Sequence, residues 1–386
     1  MSDPNSATNP ARPDVWITAA ARTAVTGRSR AQAHLSAGEL AAQVVAGVST
    51  GDPAEAVGAV VLGNCTGPGG NLGRIAALSA GLGITTPGWS VDGQCGSGLL
   101  AVITGAAHAA ATGAAVVAGG VESPSTAPQR SLDGVPYTQA PMTPAGWPDP
   151  GMTAAADALA EQAGILRSRQ EAFAVASHAK ALTARRRGLH AGRLGQVPDD
   201  GPRALTRAMV ARFPTAENEA EPDWAHTAAT AARIADGAAA VRLEPHVGQP
   251  RTREVGDDTG LTPVRILASA LTGDDPALPG AGAVAAMQYA LQSAGTTLAE
   301  LAAVEVVEAY AAQTLYTLDA LGVAEDDPRV NAWGGALALG HPWGASGAIA
   351  LTTLIHRLHA EPTGSRGAVC AAVAGGMGVA LIVERA

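Results

Sequence analysis

Gln94-Cys95-Gly96-Ser97-Gly98-Leu99-Leu100-Ala101 sets one cysteine among glycines. A strand-like lead-in, Trp89-Ser90-Val91-Asp92, precedes it, and an Ala/Gly-rich apolar run from Leu99 to Val121 follows. Small residues let the backbone turn sharply at the sulfur and let a helix begin there. Backbone N–H groups at a helix start favour negative charge, so they lower a thiol pKa and can hold an oxyanion. That is the build of a nucleophile. A buried cysteine acting as a small hydrophobe fits the same stretch, and the stretch alone does not separate the two readings. The rest of the chain does.

The chain has 386 residues, 47% hydrophobic against 15% charged, which supports a sizeable core. Aromatics are only 3%, so that core is made of Ala, Val, Leu and Gly and packs backbones closely. Net charge is −9, and the longest basic run is Arg185-Arg186-Arg187, which argues against nucleic acid as a partner. Lys180 is the single lysine, and the arginine bias fits a GC-rich coding sequence. Cys65, Cys95 and Cys370 are far apart and odd in number. They show no disulfide framework or metal spacing, so a reducing cytoplasm is expected. Residues 1–13 read as a disordered polar tail, not a signal peptide. Gly98 to Val121 is long enough to span a membrane, but its Ala/Gly content makes it weakly apolar, and it reads as a helix buried in a large core.

Outward from the cysteine, the chain repeats itself. Val15-Trp16-Ile17-Thr18-Ala19-Ala20-Ala21-Arg22-Thr23 has the shape of Val264-Arg265-Ile266-Leu267-Ala268-Ser269-Ala270-Leu271-Thr272. Each leads to an Ala-rich helix, Ala37 to Val48 (with Ser36 as its N-cap) and Ala281 to Gly295. Each helix runs into a second strand, Val57 to Leu62 and Leu301 to Val307. Ala115-Val116-Val117-Ala118-Gly119-Gly120-Val121 aligns with Ala371-Ala372-Val373-Ala374-Gly375-Gly376-Met377. The order strand, helix, strand, Gly-rich turn, helix, strand thus occurs twice, which argues a layered α/β architecture. In the second half the place of Cys95 is taken by Gly340-His341-Pro342-Trp343-Gly344-Ala345-Ser346-Gly347. Pseudo-twofold packing would bring Cys95 and His341 together. Expected boundaries are 14–122 for the first half, 123–262 for an inserted cap and 263–386 for the second half. The insert reads as a Pro-rich loop, a helical stretch from Thr153 to Gly188, then loop, and it is expected to supply substrate contacts.

Cys95-Gly96-Ser97-Gly98, Gly119-Gly120-Val121-Glu122-Ser123, Glu308-Ala309-Tyr310, Gly340 to Gly347 and Gly375-Gly376-Met377-Gly378 together resemble the thiolase family. The likeness runs from about Val15 to Arg385. It implies a duplicated five-layered αβαβα thiolase fold with an inserted loop domain, and homodimers or homotetramers. It implies that Cys95 is acylated by a thioester of coenzyme A or of an acyl carrier protein, and that His341 activates the thiol. A thiolate attacks well and a thiol leaves well, so one hard step becomes two. Site support is implied for Glu308 and for the Ala374, Gly375 and Gly376 turn, and substrate contacts for Met152, Ala232, Arg233 and Trp343. No metal, tightly bound cofactor or membrane partner is implied.

The departures from the family matter equally. The family's second catalytic cysteine falls on Ala372, and Cys370, two residues earlier, is the one thiol near enough in sequence to stand in. Val307 replaces the Asn that fixes a water in one oxyanion hole, a donor worth on the order of 10²–10³ in rate. Gly151 replaces a pocket His, and Arg233 a glycine on the coenzyme path. His108 reads as a core histidine and His226 as an exposed one. His356 and His359 carry no assigned chemistry, and Cys65 reads as packing. Three functions follow: an acyltransferase of altered acceptor in a specialised biosynthetic pathway, an active 3-ketoacyl thiolase with Cys370 or Glu308 as base, or a non-catalytic scaffold.

Overall fold

The computed structural model describes residues 14–49, 56–137, 139–189, 191–216, 222–246 and 261–386. The tail expected over 1–13 lies outside them. Nine strands form one continuous path in the order Leu301–Val306, Arg366–Val373, Met377–Arg385, Val264–Gly273, Asp14–Arg22, Ala235–His246, Ala115–Glu122, Val57–Gly63, Gly88–Val91. The order is mirrored about the junction of Val264–Gly273 and Asp14–Arg22. On each side comes the first strand of a half, then its last strand antiparallel to it, then two mutually parallel strands. The outermost strand, Gly88–Val91, is matched in the second half by a single parallel bridge, Val304 to Val330. Among the described residues the halves meet along the sheet through Trp16 with Arg265 and Ile17 with Val264.

Strand alternation then builds the layers, because the inner strands of each half are buried on both faces. In the first half Val60, Leu62 and Val117 pack outward onto Leu40, Val44 and Leu72 of the helices Ala37–Val48 and Leu72–Ser79. Their neighbours Ala59, Val61 and Val116 face inward, onto Leu99 and Val102 of the cysteine helix, Ser97–Thr112. In the second half Val369, Ala371 and Val373 face inward, toward Leu351, Leu354 and Ile355 of the histidine helix, Trp343–Leu358. Ala368 and Cys370 face outward onto Met287, Leu315 and Leu318 of the helices Ala283–Ala294 and Ala311–Ala320. The five layers αβαβα are those the motifs implied. The cysteine and histidine helices form the middle one, and they approach across glycine. A Cβ on Gly98 would lie 2.9 Å from the Gly344 carbonyl oxygen, and one on Gly120 only 2.0 Å from it. The segment Gln94–Thr112, apolar and long enough to cross a membrane, is used here as that core element.

Three expectations are corrected. Ala235–His246 pairs with both Asp14–Arg22 and Ala115–Glu122, so the expected insert of 123–262 returns to the sheet by residue 235. Its run of small residues, Gly237-Ala238-Ala239-Ala240, is buried throughout and carries no apolar–polar alternation to mark a strand. Second, the helical stretch from Thr153 is two helices, Met152–Ala163 and Arg167–Arg186, separated at Gly164 with φ 65°. Third, the two Gly-Gly pairs do not correspond. Gly119 and Gly120 sit in mid-sheet opposite Leu62 and Gly63, where close approach forbids a side chain. Gly375 and Gly376 form the turn into Met377–Arg385, with φ of 82° and 72°. The strands match between halves; the glycines serve different needs. Ser36 caps its helix through a reciprocal pair with Glu39, as expected.

Candidate active site

The strand Gly88–Val91 delivers the chain to a tight turn, Gln94–Gly96, from which the cysteine helix starts at Ser97. Gln94 has φ 51°, a conformation unfavourable for a residue with a side chain. Hydrogen bonds hold it. The Gly93 N–H donates to Ser97 Oγ (2.9 Å), Ser97 Oγ donates to the Gln94 carbonyl (2.6 Å), and the Gln94 N–H donates to Asp92 Oδ1 (2.9 Å). A Cβ on Gly96 would meet Val373 at 2.7 Å, so the second half closes directly on this turn.

His341 arrives from that half. Its N–H donates to the Arg233 carbonyl (2.8 Å), and Gly340 before it has φ 119°. The ring stands with Nε2 3.3 Å from Cys95 Sγ and Nδ1 2.6 Å from Ser346 Oγ. The structure thus joins two residues 246 positions apart, as the duplication predicted. The expected low thiol pKa is overturned. Burial pushes the Cys95 thiol up to about 12, with the negative side chains of Glu122 and Asp92 adding to it. A backbone N–H bond to the sulfur acts the other way and is outweighed. Burial also brings His341 down to about 4. The resting pair is therefore a neutral thiol against a neutral imidazole, not a preformed ion pair. The sulfur becomes nucleophilic as the ring takes its proton during attack.

Two buried carboxylates frame the pair. Glu122 accepts from Asn64 Nδ2 (2.9 Å), the N–H groups of Cys65 and Thr66 (3.1 Å each), Thr66 Oγ1 and the Gly344 N–H (3.0 Å). It ties the loop after Val57–Gly63 to the first turn of the histidine helix. Glu308 accepts from Asn331 Nδ2 (2.7 Å), Ser177 Oγ (2.7 Å) and the Leu337 N–H (3.2 Å). It anchors the segment that leads into His341. Burial raises the pKa of both acids.

The remaining candidates sort as follows. Val307 is buried, and its N–H donates to the Cys370 carbonyl (2.9 Å), so no side-chain donor stands there. Cys370 is fully buried on the outward face with Ala368, Ala380 and Ile382, and its thiol is pushed up to about 12. It is a core cysteine. Ala372 pairs with Gly378 just before the Ala374–Gly376 turn. A Cβ on Gly375 would lie 3.2 Å from the Met142 carbonyl oxygen, so this turn faces the Pro-rich loop of the insert. Met152 and Trp343, both half-buried, begin their helices. The Ala232 N–H donates to the Ala309 carbonyl (2.9 Å). Arg233 is paired with Asp200 and lies over Gly27, so it fills its slot rather than reaching outward.

His226, expected exposed, is buried. Its Nδ1 lies 2.7 Å from Asp157 Oδ1, and its ring meets Tyr310 edge-on at 5.5 Å. His108, expected in the core, is half-exposed and edge-on to Trp89 at 5.0 Å. Cys65 lies beside the site, with Sγ 3.6 Å from Ser97 Oγ. Sequence reasoning missed Ser346, Glu122 and the Asp157–His226 pair. Ser346 and Glu122 lie inside quoted motifs, and that was the available signal. Nothing in the spacing pairs Asp157 with His226.

A thiol and an imidazole in contact where two repeated halves meet is the equipment of a cysteine-dependent acyltransferase, and the chain belongs to the thiolase family. It matches the thiolase N-terminal domain over residues 15–246 and the thiolase C-terminal domain over residues 261–385. It is 37% identical over 402 residues to an acetyl-CoA acetyltransferase of Chromobacterium violaceum, covering 96% of this chain and all of that one. It is 36% identical over 348 residues to a beta-ketoadipyl-CoA thiolase of Acinetobacter baylyi, covering 82% and 84% of the two chains. The crystal structure of the Bacillus anthracis acetyl-CoA acetyltransferase superposes with a TM-score of 0.83 at 29% identity, covering 97% of this chain and 99% of that one. The chain is a thiolase-type acyltransferase.

Proposed function

We propose that Cys95 takes an acyl group from a coenzyme A or carrier-protein thioester and passes it to an acceptor other than the usual acetyl carbanion, in a specialised biosynthetic pathway. The observation that carries this reading is the 3.3 Å contact of Cys95 Sγ with His341 Nε2, together with Ala372 and Val307 at the positions where the family has its second thiol and its amide. As Sγ bonds to the thioester carbonyl carbon, its proton moves to Nε2. The developing oxyanion is met by backbone N–H groups of the Cys95 turn and of the Ala374–Gly376 turn. Collapse breaks the donor's C–S bond, and His341 returns the proton to the leaving thiolate. The acceptor then attacks the acyl-Cys95 carbonyl, the bond from that carbon to Sγ breaks, and the acceptor's proton passes through His341 to the departing sulfur. Lacking a thiol at 372, the site suits an oxygen or nitrogen nucleophile, or a carbon acid that ionises without that base.

The second reading, synthesis or cleavage of a 3-ketoacyl thioester, is supported by the names of the relatives. Against it stands Cys370, which lies two residues before Ala372 on the same strand face, is fully buried among core side chains and offers no substitute base. Product analysis with acyl thioesters and candidate acceptors tests the two. The Ala372→Cys variant is expected to gain thiolysis of 3-ketoacyl thioesters by at least about tenfold over the parent. Equal, high thiolysis in the parent sinks the altered-acceptor reading. A scaffold has no use for a maintained thiol–imidazole contact, which weighs against that role.

The segment 123–234 is read as the loop domain over the substrate. A homodimer is supported by the open edge of Gly88–Val91 and by the exposed Thr104, Ala107 and Ala111 stripe of the cysteine helix beside it. Sedimentation of the full chain checks that point. Free Cys65, Cys95 and Cys370 suit a reducing cytoplasm.

A further inference from the structure

We infer that Ser346 is a positioning residue that fixes His341 in the Nδ1–H tautomer and so leaves the Nε2 lone pair free for the Cys95 proton. The inference rests on His341 being the base for Cys95. A base facing a thiol needs its proton on the far nitrogen, and the group bonded to that nitrogen decides the matter. Here that group is a hydroxyl, with Oγ 2.6 Å from Nδ1, and no carboxylate contacts the ring among the described residues. A hydroxyl can donate or accept, so its other neighbours must settle its direction.

Ser346 sits in the first turn of the histidine helix and is itself buried. It lines a cavity of about 30 Å³ whose wall also includes Glu305 and Thr353. Most of that wall is apolar, and Glu305, Ser346 and Thr353 are its polar side chains. The backbone N–H groups of Ala345 and Ser346 already donate to the Pro342 carbonyl, one turn back along the chain. In the inferred arrangement the Ser346 O–H turns to the cavity and an Oγ lone pair faces Nδ1. Nδ1–H donates to Oγ. The imidazolium formed when Nε2 takes the thiol proton keeps that bond, while the ring cannot turn its second N–H on the sulfur. The opposite tautomer would donate from Nε2 to Sγ and would be no base.

The test reads the thiol without any acyl donor, so it stands or falls separately from the proposed function. Alkylation of Cys95 by iodoacetamide is followed by peptide mass mapping from pH 5 to 11 in the full chain, Ser346→Ala and Ser346→Thr. The unsubstituted chain is expected to react at a rate nearly independent of pH over this range. Ser346→Ala is expected to fall on the order of 10²-fold at pH 7.5 and to climb about tenfold per pH unit, as hydroxide replaces the base. Ser346→Thr, which keeps the hydroxyl, is expected to retain the flat profile. A flat profile in Ser346→Ala overturns the inference, as does a threonine variant that behaves like alanine while remaining folded by circular dichroism. Should Ser346→Ala fail to fold, ¹⁵N imidazole NMR of the unsubstituted chain decides. A pyrrole-type Nδ1 with a pyridine-type Nε2 at His341 supports it, and the reverse overturns it.

Discussion

At Cys95 and His341 the physics of burial outweighs the physics of the helix start. The turn before Ser97 does aim backbone N–H groups near the sulfur, but withdrawal from water leaves the thiol at about 12 and the imidazole at about 4. The pH dependence of acylation follows from these values. The base is neutral and active above about pH 4, so the acylation rate should rise through that value and show no break near 6.5, the ordinary histidine range. Stopped-flow acylation between pH 3.5 and 8 reads this directly. A rise centred on 6.5 would show an exposed imidazole instead. In the same assay His341→Ala should lose on the order of 10²–10³ in rate, with thiol content unchanged. The two residues were legible because each stands in a glycine-marked turn that the duplication places in matching positions. The sign of the thiol shift was not, since it depends on layers contributed by distant segments. Arg233 shows the same limit: its partner Asp200 lies 33 residues away, and the sequence shows a charge but not its neutralisation.

At the scale of the element, the middle layer depends on missing side chains. Gly98, Gly120, Gly344 and Gly347 let the cysteine helix, the histidine helix and the strand Ala115–Glu122 close to backbone contact. Gly120→Ala places a Cβ 2.0 Å from the Gly344 carbonyl oxygen, backbone that cannot swing aside. The variant should lose about 3 kcal/mol or more in denaturant unfolding, and its Cys95–His341 reactivity should fall with it, because Gly344 is bonded to Glu122 in the same turn. A loss under 0.5 kcal/mol would mean that the helices part freely. Apolar strand runs, helix order and the Ser36 cap were readable from pattern. The strand Ala235–His246 was not, because its small residues carry no period-2 contrast. Glycine pairs misled for a related reason: one letter serves both close approach at Gly120 and positive φ at Gly375 and Gly376.

For the molecule as a whole, duplication is what makes the site. Neither half carries both the thiol and its base. The sheet order is mirrored, the central helices pack against each other at their first turns, and Met142 of the insert lies against the Gly375 turn. The repeat was visible in the sequence as ordered strand and helix shapes, and the family motifs named the fold. What stayed hidden was the set of buried polar ties, Glu122 to Gly344 and Glu308 to Asn331, that hold one half in register with the next segments. All of it converges on one covalent event. Intact-protein mass spectrometry after incubation with short acyl-CoA and carrier-protein thioesters tests that event, with Cys95→Ala alongside. The structure predicts a gain of one acyl group that maps to Cys95 and is absent from the variant. No gain with any donor, from a protein whose Cys95 still reacts with iodoacetamide, would contradict it.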